Sequence, residues 1–128
     1  MSRPHADPDT TRYKEKCSSI LGVSPRIRYA GMMNKFGRTL AGSFRKGVVP
    51  LLKPEEAKSE YFIEAARGQM RMNFEKSIGR TEYTLTENEK VKILTLTNPG
   101  NLYYITMDKE TPADEVARII ASVQRLAR

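Results

Sequence analysis

The sequence has one cysteine, one histidine and no tryptophan among its 128 residues. A single cysteine, Cys17, cannot form an internal disulfide, which excludes the small secreted domains that disulfides hold together. One histidine and one cysteine do not supply any of the usual zinc ligand sets, and neither a CxxC nor an HExxH motif is present. His5 lies in a polar N-terminal stretch, where a catalytic base would lack the fixed position that proton transfer requires. We therefore expect no metal, no cofactor and no catalytic residue, and we predict that the protein is not an enzyme.

Long apolar runs are also missing. No stretch approaches the roughly 18 apolar residues that a membrane span needs, and the start MSRPHADPDT lacks the apolar region of a signal peptide. We therefore expect a cytoplasmic protein with no membrane contact. Apolar residues make up 39% of the sequence, well above the share in disordered chains. The length allows one domain, which we place at residues 8–128 after a flexible tail at residues 1–7.

Hydrophobic periodicity predicts three helices and five strands. The first helix starts at Asp7-Pro8 and ends at Gly22, and alternating apolar residues over 26–44 then predict a hairpin. A long second helix over 54–78 ends at Gly79. Three further strands are predicted at Thr81–Thr86, Val91–Thr97 and Leu102–Met107, with a turn containing Pro99 between the last two. A capping box at Thr111–Asp114 opens the final helix.

This order, α-β-β-α-β-β-β-α, predicts an α+β fold with a five-stranded antiparallel sheet, because short turns link the neighbouring strands. Gly31 and Gly42 predict a close approach within the sheet. In the second helix an apolar stripe recurs every four residues, and further apolar residues fall beside it, so we expect two buried faces. The stripe consists of Phe62, Ala66, Met70 and Phe74.

One segment carries a resemblance to known proteins, and it runs from Gly42 to Glu56. It contains Arg45-Lys46-Gly47, Pro50-Leu51-Leu52 and Glu55-Glu56. It resembles a GxxRKGxxPLLxxEE-like segment of short archaeal proteins that have no assigned activity, and the similarity covers most of residues 20–125. The order of elements resembles the Roadblock / dynein light chain superfamily and, more distantly, profilin-like domains.

The Roadblock resemblance implies a strand order of 2-1-5-4-3 and a homodimer, in which the third strand and the second helix each pair with their counterparts. It also implies a non-enzymatic adaptor or regulator, with a small GTPase as a possible partner. The methionines of the second helix suit an adaptable interface, although they also suit an ordinary core. The candidate dimer residues are Ile63, Met70, Met72, Tyr83 and Leu85.

Charge is distributed unevenly along the chain. The net charge is +7, of which residues 1–53 contribute +8 and residues 54–128 contribute −1. A basic face over residues 26–53 is typical of proteins that bind nucleic acid or an acidic protein partner, and also of faces that only aid solubility. The candidate anion-binding or partner-binding residues are Arg26, Arg28, Lys35, Arg38, Arg45 and Lys46.

Three smaller features complete the sequence-based interpretation. Phe36 at the hairpin turn is either a stacking platform for nucleic-acid bases or, as we prefer, an apolar plug that folds back on the core. Glu56, Glu60 and Glu64 recur every four residues, and their charged neighbours favour a solvated face over a metal or acid–base site. A small-ligand sensor is a further alternative, with a pocket between the sheet and the second helix. Its predicted lining is Tyr29, Met33, Met70 and Tyr104.

Overall fold

The computed structural model of the chain describes residues 8–98 and 100–128. The predicted tail at residues 1–7, the predicted helix start at Asp7 and the turn residue Pro99 lie outside the described residues. In chain order the elements are α1 (Pro8–Leu21), β1 (Ile27–Asn34), β2 (Thr39–Phe44), α2 (Pro54–Arg71), a 3-10 turn (Met72–Phe74), α3 (Glu75–Ile78), β3 (Thr84–Glu87), β4 (Val91–Asn98), β5 (Asn101–Asp108) and α4 (Ala113–Leu126). No helix within these residues is both long enough and apolar enough to cross a bilayer.

The five strands form one antiparallel sheet in the order β2-β1-β5-β4-β3. This confirms the predicted α+β fold class. Consecutive strands pair wherever a short turn joins them, whereas β5 inserts between β1 and β4, so the first and last strands of the chain meet at the centre of the sheet. Within residues 8–98 and 100–128 the sheet therefore has two edges, β2 and β3, and each pairs with one strand only.

The main core lies between one face of the sheet and the helices α1 and α4. Leu94, Tyr103 and Ile105 from the central strands meet Ile20 of α1 and Ile119 of α4, and all are nearly inaccessible to water. The predicted apolar stripes of the first and last helices are buried here, as their spacing required. Burial of this kind is the dominant favourable term in folding.

The helix α2 covers the other face of the sheet, and it does so through small side chains. Ala65 packs into a second cluster with Tyr29, Tyr104 and other sheet residues. One turn further on, a Cβ at Gly68 would lie 3.3 Å from the side chain of Thr97, so helix and sheet are already close there. The predicted stripe does not face the sheet: three of its members, Phe62, Met70 and Phe74, are exposed. Of the two buried faces that we expected for this helix, the one that carries the stripe is therefore not covered within the chain itself.

Two element boundaries differ from the prediction by more than one residue, and one predicted cap is absent. The second helix is interrupted at Arg71 by the 3-10 turn and resumes as α3, and the third strand begins at Thr84 rather than Thr81. The predicted capping box at the start of α4 does not form. Instead, the Thr111 hydroxyl donates to the carbonyl of Asp108 at 2.7 Å and so closes the preceding turn.

The ring of Tyr29 lies across the sheet over two glycines. Gly31 and Gly42 face each other across β1 and β2. A Cβ on Gly31 would lie 2.5 Å from the Tyr29 hydroxyl oxygen, and a Cβ on Gly42 would overlap the same atom. The predicted close approach therefore exists, but a side chain rather than a backbone fills the space.

Arg45 ties the α1–β1 connection to the end of β2. Its Nε donates to the carbonyl of Ile27 at 2.6 Å, and its Nη2 donates to the carbonyls of Leu21 and Ser24. Leu21 is the last residue of α1, where carbonyls lack partners within the helix and a cation is favoured by the helix dipole. One guanidinium therefore satisfies three backbone acceptors in this connection.

We expect Gly42→Ala to lower the free energy of unfolding by about 1–3 kcal/mol, because the added methyl forces the Tyr29 ring out of place. Urea unfolding measures the change. Gly22→Ala is the matched control, since a Cβ there meets its nearest atom at an ordinary 3.4 Å. Adding Tyr29→Phe to Gly42→Ala should recover part of the loss. A Gly42→Ala protein as stable as the wild type would contradict this account of the tyrosine.

We expect Arg45→Met to lower the free energy of unfolding by about 2–4 kcal/mol, because hydrogen bonds from a charged donor are lost and carbonyls are left without partners. Lys46→Met is the matched control, because Lys46 is exposed and exposed substitutions change stability by no more than about 0.5 kcal/mol. Both are again measured by urea unfolding. Equal stability losses in the two variants would argue against a tethering role for Arg45.

Candidate functional site

The carboxylates of α2 do not form the solvated face that we predicted. Glu64 is 5% exposed and lies 3.5 Å from the guanidinium of Arg67. Burial raises the pKa of Glu64, the Arg67 charge opposes that rise, and Glu60 adds to it. Glu56 accepts a hydrogen bond from the backbone N–H of Lys53 at 2.9 Å and so caps the helix. Among the residues that the structure describes, no group of three His, Cys, Asp or Glu side chains is arranged to hold a metal ion.

The six candidate basic residues fall into two groups at opposite ends of the first hairpin. Lys35 and Arg38 belong to the turn between β1 and β2, whereas the other four lie near the start of β1 and the end of β2. Lys35 comes seven positions after Arg28, and seven steps along a strand span about 23 Å. The structure therefore does not bring the six side chains together into one patch.

Within the second group, three of the four side chains already have partners in the protein. Arg26 pairs with Glu115 at 3.3 Å, and Arg28 pairs with Asp108 at 3.7 Å and donates to the carbonyl of Val49 at 3.0 Å. Arg45 donates to the three carbonyls described above, whereas Lys46 is exposed. The exposed cations among the six are thus Lys35, Arg38 and Lys46, and their anion-binding or partner-binding role stays a prediction.

An apolar surface covers the side of α2 that points away from the sheet. We call it the outer face and define it by Phe36, Phe62, Ile63, Ala66 and Met70. Phe62 is 62% exposed, Ile63 53% and Met70 61%. Within α2, Phe62, Ala66 and Met70 recur every four residues with Ile63 beside them, so they form one continuous strip along the helix. Exposed apolar strips of this kind are typical of protein–protein interfaces.

Phe36 belongs to the outer face because the hairpin turn packs against α2. Gly37 has a positive φ of 86°, and a Cβ there would lie 2.7 Å from the Cα of Phe62. This contact places Phe36 beside Phe62, where both line a shallow depression, and leaves Phe36 70% exposed. Our preferred prediction that Phe36 is a core plug is therefore wrong. Lys35 stacks over its ring at 5.3 Å from the centroid.

The predicted dimer residues lie on more than one surface. Ile63 and Met70 lie on the outer face, and Met72 is 54% exposed just beyond the end of α2. Leu85 is paired with Leu94, so it faces the α1 and α4 side of the sheet. It is 37% exposed. Tyr83 is 43% exposed and immediately precedes β3. The open backbone edge of β3 lies between the set Ile63, Met70 and Met72 and the set Tyr83 and Leu85.

A groove opens between the sheet and the N-terminal half of α2. Its volume is about 660 Å³. We call it the sheet groove and define it by its apolar walls, which are Tyr29, Phe44, Leu51, Leu52, Tyr61 and Tyr104. Two of the four residues predicted for a ligand pocket, Tyr29 and Tyr104, are here. The other two are not, because Met33 is fully buried in the core and Met70 lies on the outer face.

Aromatic rings form the floor of the sheet groove. The rings of Tyr61 and Tyr104 meet edge to face with centroids 4.9 Å apart, and those of Tyr29 and Phe44 are 4.5 Å apart. The Tyr104 hydroxyl donates to Glu60 Oε2 at 2.8 Å. Burial, followed by this bond to Glu60, raises the pKa of Tyr104, so its hydroxyl keeps its proton and remains a donor. Glu60 is therefore held at the groove as an acceptor.

Sequence patterns missed four of the groove residues. Tyr61 precedes the outer stripe of α2 by one residue, and Phe44 is the last residue of β2. Leu51 and Leu52 lie in an irregular connection, where no periodicity exists. The available signal was their type, because two adjacent leucines in a loop contribute to an exposed apolar patch, and such patches mark binding surfaces.

Neither a protein-family model nor a curated protein sequence matches the chain. Solved structures do match it. MglB from Thermus thermophilus, described as a gliding protein, aligns with a TM-score of 0.70, 16% identity and 98% coverage of both chains. A Roadblock/LC7 domain from Streptomyces avermitilis aligns with a TM-score of 0.60, 14% identity, and coverage of 89% of this chain and 96% of that one.

The match extends to profilin-type structures. Profilin IB from Acanthamoeba castellanii aligns with a TM-score of 0.60 at 8% identity, covering 90% of this chain and 95% of that one. Identities this low establish shared architecture and nothing about activity. The chain therefore has the fold of Roadblock/LC7 domains, with the same sheet core as the profilins.

Proposed function

We propose that this protein is a non-enzymatic regulatory adaptor that works as a homodimer and binds a small GTPase. The observation that carries the proposal is the outer face. It is an apolar strip along α2, at the position where the Roadblock resemblance implies contact with a second copy. Exposure of large apolar side chains to water is unfavourable by about 25 cal/mol for each Å² of apolar surface.

The open edge of β3 supports the same arrangement. Among the strands of the described part of the chain, β3 pairs with β4 only, and its free side presents backbone donors and acceptors that a matching strand would satisfy. A two-fold axis at this edge would bring two copies of β3 into antiparallel contact and would also bring two copies of α2 together. Leu85 and Tyr83 would then lie near their counterparts on one side of the joined sheet, with Ile63 and Met70 on the other side.

The charged rim of the outer face favours an acidic partner. Lys35 and Arg38 are exposed at the hairpin turn, beside Phe36. An apolar centre with a basic rim is complementary to an apolar centre with acidic neighbours. A small GTPase with such a surface is the partner that the Roadblock resemblance implies, and the protein would regulate it without contributing catalytic residues.

We expect the purified protein to have a mass near twice 14.5 kDa in light scattering after gel filtration. Ile63→Glu and Met70→Glu should each shift that mass toward the monomer, because a charge is costly at the apolar centre of an interface. The control is Val49→Glu, which introduces the same charge at an apolar residue that is 77% exposed outside the outer face. A monomeric wild type, or dimers that survive both substitutions, would refute the dimer.

We expect a Ras-like GTPase from the same organism to bind the dimer in one nucleotide state at least about tenfold more tightly than in the other. Biolayer interferometry with GDP and with a non-hydrolysable GTP analogue measures this. The double reversal Lys35→Glu/Arg38→Glu should slow association, since rim charges act mainly on that rate. The double reversal Lys14→Glu/Arg118→Glu, at exposed residues of α1 and α4 away from the outer face, should not. Failure of every GTPase of that organism to bind in either state would exclude the GTPase part of the proposal.

A further inference from the structure

We propose that the sheet groove is a binding site for a small amphipathic amine, with its ammonium group at Glu60 and its apolar body on Tyr61, Phe44 and Leu52. This site shares no residue with the outer face or with the edge of β3. It therefore does not depend on the proposed dimer or on the GTPase.

The groove exists because α2 carries a small residue, Ala57, at a point where a larger side chain would fill the space between the helix and the sheet. Ala57, Tyr61, Ala65 and Gly68 recur along the inner side of α2. Ala65 and Gly68 bring the helix close to the sheet, but Ala57 is too short to reach it at the other end. A gap of about 660 Å³ remains, within the range of small-molecule sites and far below what a folded partner occupies.

The walls present apolar surface that the protein itself leaves uncovered. Phe44 is 46% exposed, Leu51 51% and Leu52 38%, and all three line the groove. Each belongs to the stretch between β2 and α2, which therefore forms one lip of the groove. A ligand with an aromatic or aliphatic body would remove this surface from water.

The charges of the groove favour a cation. Four charged side chains line it, namely Arg28, Glu60, Glu89 and Lys90. The Arg28 guanidinium already pairs with Asp108 and donates to Val49, and Glu89 and Lys90 are neighbours whose charges offset each other. Glu60 is left. Only one of its oxygens accepts the Tyr104 hydroxyl, and a carboxylate has further lone pairs for an ammonium donor.

The aromatic rings add to the preference for a cation. Tyr61 and Phe44 line the same groove as Glu60, and the faces of aromatic rings attract cations. A carboxylate beside aromatic rings is complementary to an ammonium group that is attached to an apolar body. An anionic ligand would meet the Glu60 carboxylate instead.

Three compounds with one indole body and different charges test this proposal. Tryptamine is cationic at pH 7, tryptophol is neutral and indole-3-acetate is anionic. We expect tryptamine to bind at least about tenfold more tightly than tryptophol, because a charge-assisted hydrogen bond replaces a neutral one, and indole-3-acetate to bind more weakly still. Titrations followed by amide chemical shifts of the full chain give the affinities and locate the site.

Substitutions separate the ammonium site from the apolar walls. Glu60→Gln keeps an acceptor for the Tyr104 hydroxyl, so the fold should survive. It should lower the preference for tryptamine over tryptophol to the roughly twofold that aromatic rings contribute at a site open to water. Leu52→Ala should weaken both compounds to a similar extent. Glu110→Gln, at an exposed carboxylate outside the groove, should leave both affinities unchanged.

Each of the other results would overturn the proposal. These results are tightest binding of indole-3-acetate, a tryptamine preference that Glu60→Gln leaves undiminished, no binding of any compound, and shift changes at Phe62 and Met70 instead of Tyr61 and Phe44. Light scattering of Glu60→Gln and Leu52→Ala checks that both keep the mass of the wild type. Failure of the amine site is therefore distinguishable from failure of the dimer.

Discussion

The contact between α2 and the sheet determines both candidate surfaces of this protein. The inner side of α2 is made of Ala57, Tyr61, Ala65 and Gly68, so the helix can lie close to the strands only where its side chains are small. Apart from Tyr61, the large apolar residues of α2 lie on the outer face, where its own sheet does not cover them. The gap at Ala57 opens the sheet groove. One choice of residue sizes along a single helix thus produces a strip for a partner on one side and a cavity on the other.

Periodicity predicted the fold well because most of the elements bury their most apolar side. The stripes of α1 and α4, the near-continuous apolar residues of β4 and the turns between strands all follow this rule. It failed for α2, since hydrophobicity alone does not reveal which side of a helix is small enough to approach a sheet. Phe62 and Met70 are more apolar than Ala65 and Gly68, yet the smaller pair faces the core.

Charge counting had a similar limit. The excess of basic residues in the first 53 positions is real, but a count does not reveal which cations the protein itself uses. Arg45 is the clearest case, because its guanidinium serves three carbonyls that come from a helix end, a loop and a strand. Those acceptors are 18 to 24 residues away in sequence. Only the folded arrangement of α1 and β1 places them around one side chain, so no local sequence pattern predicts the interaction.

The outer face and the sheet groove lie on opposite sides of α2, and this links them physically. Tyr61 closes the groove, and its sequence neighbour Phe62 begins the exposed strip. Adjacent residues of a helix cannot move independently, because the backbone hydrogen bonds fix their relative positions. Any shift of α2 toward or away from the sheet therefore changes the width of the groove and the height of the outer face together. Coupling between two sites needs an element whose position both of them bias. In this protein α2 meets that requirement through Tyr61 and Phe62, with the hairpin turn at Gly37 packed against the same two residues.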